Sequence, residues 1–219
     1  MSNKPEPNPH RLTLDPFHPL FVWAYPIAWR NAMAAQVVLG DRKNIERAND
    51  IKGAMRNVLR GPVSEFAPFL TLMESEECAN FDYVLVDWNG IQVAARWGRI
   101  PSTGVIRRNP TLNTALVQEQ GTLFGGGGKS IEDIPLFTYG YTVERDFTLN
   151  GIPQGYMERL KLCREWGDEH TEVIQTLAVF SEPVNQVIDE GLFASRITAR
   201  AAEEAQLKAL IRSIRRRLA

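Results

Sequence analysis

The dipeptide Asn89-Gly90 lies between two strand-like runs, Tyr83 to Trp88 and Ile91 to Trp97. A two-residue hairpin turn needs positive φ at both central positions, and Asn-Gly meets that need at little steric cost. Pairing across the turn puts Val84, Val86, Trp88, Ile91, Val93, Ala95 and Trp97 on one face. A one-residue slip would send all of them to the other side, so the register is fixed and that face must be covered.

The period-2 pattern continues further along the chain. Phe137, Tyr139, Tyr141, Val143, Arg145, Phe147 and Leu149 alternate with mostly polar residues, which predicts a third strand. Asn150-Gly151 ends it, and Pro153 with Gly155 argues for a connection longer than two residues. Met157 to Trp166 and Thr171 to Phe180 then predict a second hairpin around Gly167-Asp168-Glu169-His170. The expected sheet is antiparallel, with about five strands built from hairpins.

Helical periodicity flanks this region on both sides. Phe17, Leu20, Phe21, Trp23, Tyr25 and Trp29 are the densest aromatic cluster, expected to anchor the core. Pro26 suits the first turn of a helix running to about Leu39. Ile45, Ala48, Ile51, Met55, Val58 and Leu59 predict a second helix stopped by Gly61 and Pro62. Leu207, Leu210, Ile211, Ile214 and Leu218 mark a C-terminal amphipathic helix. The fold class is therefore α+β. Residues 1–16, rich in proline, are expected to be an extended arm; 17–183 form a single domain; 184–219 form a C-terminal helical segment. Within the domain, residues 101–130 include four consecutive glycines, Gly125 to Gly128. A connection this long in a compact domain points to a segment that is mobile or ordered by a partner.

At 219 residues the chain is long enough to bury about 70% of its unfolded surface, so no disulfide or metal staple is required. Its two cysteines, Cys78 and Cys163, form no CxxC and are expected to be free thiols. The N-terminus lacks the order of a signal peptide, and the longest apolar stretch is too short to span a bilayer. A cytoplasmic protein without membrane contact is expected. The net charge of −1 excludes only a globally basic binder. Charge is segregated along the chain: residues 131–190 carry twelve acidic and four basic side chains, and residues 191–219 carry seven basic and two acidic.

No motif names a reaction or a family. Gly125 to Gly128 with Lys129 and Ser130 departs from a phosphate-binding loop because Leu123 stands where the first glycine is needed. Asp168, Glu169, His170 and Glu172 place three carboxylates and an imidazole together, a potential general base or cation site. Polar residues at a hairpin tip are also what solvent exposure alone produces. With three histidines in the chain, a histidine-rich metal site is excluded, and no cofactor is implied. Arg145 falls among apolar alternating positions; a buried guanidinium must meet a carboxylate, an anion or a partner. Lys208, Arg212, Arg215 and Arg216 are candidate anion or partner contacts on the last helix.

The function expected first is a non-catalytic assembly or interaction subunit of a homo-oligomeric, virion-type or nucleoprotein complex. The first alternative is a nucleic-acid-binding protein using basic helices at 42–60 and 196–217. The second is a small enzyme or anionic-ligand-binding protein using Arg145 with the 168–172 cluster.

Overall fold

The computed structural model describes residues 9–39, 44–73, 83–100, 135–149, 152–166, 170–180 and 192–219. The order is α1 (Pro9–Leu14), a 3-10 turn (Asp15–Phe17), α2 (His18–Leu39), α3 (Asn44–Ser64), β1 (Leu70–Met73), β2 (Tyr83–Trp88), β3 (Ile91–Arg99), β4 (Leu136–Leu149), β5 (Ile152–Trp166), β6 (His170–Val179) and α4 (Leu192–Leu218). The α+β class holds.

The sheet has six strands in sequence order, and it is mixed rather than antiparallel. Every neighbouring pair is antiparallel except β3 and β4, which run parallel from Ala94 opposite Leu136 to Arg99 opposite Tyr141. Parallel neighbours require the chain to travel back along the sheet before pairing. Residues 101–134 are that crossover connection; their conformation, including the glycine run, lies outside the described residues. β1, only four residues long, was too short to leave a periodic signal.

The Asn89-Gly90 turn forms as the sequence predicts, with φ of 54° and 72°. Val84, Val86, Val93, Ala95 and Trp97 enter the main core, and Leu85, Tyr83 and Ala94 enter a second buried cluster on the opposite face. The β4–β5 connection differs from expectation: Leu149 pairs with Ile152, so only residues 150 and 151 separate the strands. Pro153 is tolerated because the β6 register ends at Arg159, leaving the start of β5 without a neighbour on that side. Met157 and Leu160 both enter the main core despite their odd spacing, because Glu158 is an extra residue in the β4–β5 ladder.

The N-terminal helices depart from expectation in three places. Residues 9–16 are helical rather than extended, with Pro9 opening α1, Pro16 inside the 3-10 turn, and Thr13 and Leu14 buried. Helix α2 starts at His18 and contains Pro26 in its interior, which removes the hydrogen bond to the Val22 carbonyl. The lost bond costs about 3 kcal/mol, whereas fully burying each large apolar side chain of this stripe contributes about 1.5–3 kcal/mol. Phe21 and Tyr25 are fully buried and Trp29 nearly so, so burial wins. Helix α3 likewise runs past Gly61-Pro62 to Ser64, whose hydroxyl donates to the Gly61 carbonyl at 2.6 Å.

All four helices contribute to one side of the sheet. Ile51, Met55 and Leu59 of α3, four residues apart, face the strands, and the Trp97 indole donates to the Lys52 carbonyl at 3.2 Å. From α4, Ile214 is buried, while Leu207, Leu210, Ile211 and Leu218 pack partly against the same core. A methyl group added at Gly90 meets no atom within 4 Å, so Gly90→Ala isolates the backbone strain of its positive φ. It should lower the free energy of unfolding by about 1–2 kcal/mol in urea denaturation, with an unchanged m-value.

Candidate functional site

The most structured polar feature is a chain of hydrogen bonds running from the sheet into α2. Tyr139 on β4 is fully buried and stacks on Phe21, with ring centroids 3.7 Å apart and planes 9° apart. Its hydroxyl lies 2.8 Å from His18 Nδ1. On the other side of that imidazole, Nε2 lies 2.9 Å from Asp15 Oδ1. Asp15 and His18 are three residues apart, a spacing that meets only because the chain is helical there. The Tyr25 hydroxyl donates to the Tyr139 carbonyl and accepts from the Gly98 amide at 3.2 Å.

Burial pushes the Tyr139 hydroxyl well above the usual tyrosine range, and the Asp15 charge adds to the effect. Tyr139 therefore stays protonated, and its hydroxyl shares one hydrogen bond with Nδ1 whose direction is set by the imidazole tautomer. The order Tyr–His–Asp resembles a nucleophile–base–orienter relay, but the hydroxyl lies beneath Phe21 with no exposed surface. It bonds the His18 ring from the buried side.

Asp15 and His18 form part of an open cleft of about 690 Å³ where α2, β6 and α4 meet. Pro19, Val22 and Trp23 line it from α2, Gln175 and Leu177 from β6, and Gln206, Leu210 and Arg217 from α4. The Asp15 carboxylate is 44% exposed and the His18 side chain 11%. Trp23 Nε1 is buried without a hydrogen-bond partner among the described residues.

The sequence candidates are dispersed. Arg145 lies in β4 where the register to β5 is irregular, with Arg145 and Asp146 set against Gly155 alone. Strict alternation, the premise for a buried guanidinium, fails at that point; the side chain itself lies outside the described residues. Asp168 and Glu169 lie outside them entirely, and the side chains of His170 and Glu172 do too. Backbone register still places Glu172 opposite Arg164, which pairs with Phe137. Arg145 is eight residues further along β4, roughly 26 Å away at ~3.3 Å per residue. Among the described residues, the backbone positions of Arg145 and Glu172 are therefore far apart.

On α4 the basic residues part company because successive helical positions point about 100° apart. Arg215 turns to one flank and pairs with Glu65, 2.8 Å from Oε2 and 3.3 Å from its carbonyl. Arg217 turns into the cleft. Arg30 pairs with Glu203 and ties α4 to α2. Lys208, Arg212 and Arg216 share the outward face, all exposed; Arg212 Nε donates only to the Lys208 carbonyl at 3.2 Å.

Among the described residues no group of His, Cys, Asp and Glu is placed to hold a metal, and no helix is long and apolar enough to cross a membrane. Cys163 is buried and forms no disulfide among the described residues. No protein-family model matches this chain, and no curated protein or solved structure matches it significantly. Sequence reasoning did not bring Asp15, His18, Gln175 and Gln206 forward as site residues, and it read Trp23 as a core anchor and Arg217 as one of a basic row. The signal available was the i, i+3 spacing of Asp15 and His18.

Tyr139→Phe removes the hydroxyl bonded to His18 and should destabilise the fold by about 1–3 kcal/mol in chemical denaturation. The alkaline limb provides a second check. Burial also raises the Tyr25 hydroxyl, with Tyr141 adding to the effect and the Gly98 amide opposing it. The folded chain then holds protons that the unfolded chain releases above about pH 10. The stabilisation is fully present below about pH 10 and is lost as pH rises through the folded values. In a phenolate absorbance titration, Tyr25 and Tyr139 should ionise only together with unfolding.

Proposed function

We propose that this protein is a non-catalytic interaction subunit that assembles with a second copy of itself, the outward basic face of α4 meeting the acidic stretch of the neighbouring chain. The observation that carries the reading is the row Lys208, Arg212 and Arg216. These residues are exposed and without acidic partners among the described residues, on a helix pinned at its flanks by Arg215–Glu65 and Arg30–Glu203. The rest of the chain supplies the complement, with twelve acidic and four basic residues between 131 and 190. Such complementarity mainly sets orientation and association rate, and it is sensitive to salt.

A nucleic-acid partner fits this face less well. Three cations span about 12 Å of helix axis, against the 6–10 phosphate contacts typical of salt-steep DNA binding. No aromatic side chain lies among them to stack on bases.

Light scattering with the 260/280 nm absorbance ratio tests the proposal, run at about 0.1 M and about 1 M salt, where the screening length falls from ~10 Å to ~3 Å. The wild type should be a dimer or larger at low salt and dissociate at high salt, and the double variant Arg212→Glu, Arg216→Glu should be monomeric in both. A wild-type monomer at high protein concentration and low salt overturns the reading, as does an oligomer indifferent to salt and to the variant. A high absorbance ratio that the variant abolishes assigns the face to nucleic acid instead.

A further inference from the structure

We infer that the cleft between α2, β6 and α4 is a binding site for a small amphipathic monocarboxylate, separate from the outward face of α4. A cleft of about 690 Å³ lies within the range of small-molecule sites, and its mixed lining fits such a ligand. Arg217 supplies a guanidinium with no ion pair among the described residues, the group best shaped to take a carboxylate. Trp23 lines the cleft as well; its Nε1 is closed to solvent and without an acceptor among the described residues, so what the residue offers a ligand is ring surface. Val22, Leu177 and Leu210 offer apolar surface for the body of the ligand.

The same cleft explains why the ligand carries one negative charge and not two. Asp15 keeps a partly exposed carboxylate there, 2.9 Å from His18 Nε2, and the His18 ring is bonded on its other side to the buried Tyr139 hydroxyl. A second anionic group on the ligand meets repulsion from Asp15, while Arg217, the one Lys or Arg lining the cleft among the described residues, is already taken by the first carboxylate. An aliphatic chain and an aromatic ring satisfy the apolar walls equally, so the shared chemistry is a carboxylate on an apolar body.

Calorimetric titration of the full-length protein with octanoate, with the aromatic acid indole-3-acetate, with the uncharged octanamide and with inorganic phosphate tests this. At least one of the two carboxylates should bind saturably, and which one does identifies the body. Octanamide should bind at least about tenfold more weakly than octanoate if the aliphatic acid is the ligand, and phosphate should not compete. Arg217→Gln should weaken the carboxylate by about tenfold. Trp23→Ala removes the ring surface and should weaken binding, whereas Trp23→Phe keeps an aromatic ring and should retain it with the apo melting temperature unchanged or higher, which separates a ligand contact from a packing role. Absence of saturable binding by both acids up to about 10 mM overturns the proposal. So does equal affinity for octanoate and octanamide without aromatic-acid binding, competition by phosphate, or unchanged affinity in Arg217→Gln. None of these outcomes bears on the oligomeric state read through Arg212 and Arg216.

Discussion

The contact between the aromatic stripe of α2 and the tyrosines of β4 is the constraint on which the rest of the structure depends. His18, Phe21, Tyr25 and Trp29 recur at helical spacing, and Tyr139 and Tyr141 recur at strand spacing. Where the two periods meet, Phe21 stacks on Tyr139, while Tyr25 and Trp29 tilt against Tyr141 at centroid distances of 5.6 and 5.9 Å. Such pairs add to area burial through ring electrostatics, and the two hydroxyls add directional bonds that fix the helix against the strand. The interior proline of α2 and the helical N-terminus both follow from this contact, because only a helix beginning near His18 presents all four side chains to the same strand.

What the sequence disclosed and what it hid divide along physical lines. The Asn89-Gly90 turn, the buried alternation of β2 and β3 and the stripe Ile51, Met55, Leu59 are local signals, and the local geometry obeys them. The parallel pairing of β3 with β4 is a non-local choice, and neither strand carries a mark of it. Pro26 and Pro62 read as boundaries because isolated propensity disfavours them inside a helix, yet packing around Tyr25 and Val63 outweighs propensity. The candidate site was hidden for two reasons. His18 finds Tyr139 across 121 residues of chain, and it finds Asp15 only if the proline-rich start is helical. The block Arg215, Arg216, Arg217 reads as one basic patch in a string of letters, but helical geometry sends its members to Glu65, to solvent and to the cleft.

Helix α4 has a double role in this arrangement. Ile214 is its one fully buried apolar anchor among the described residues, with Leu207, Leu210, Ile211 and Leu218 partly covered. The flanking ion pairs, each worth at most about 1 kcal/mol when exposed, add orientation to that apolar contact. The helix carries both the outward basic row and one wall of the cleft.

The parallel join between β3 and β4 has a consequence for the order of events during synthesis. Tyr25 lies 114 residues before the carbonyl that receives its hydroxyl. At ~5–20 residues per second, α2 leaves the ribosome roughly 6–20 s before β4 exists to cover it. For that interval Phe21, Tyr25 and Trp29 have no native strand to pack against, and the β2–β3 hairpin cannot supply one. The nascent chain therefore carries an aromatic helix that lacks its strand, with only α3 to pack on, through about half of its translation, the kind of segment on which chaperones act.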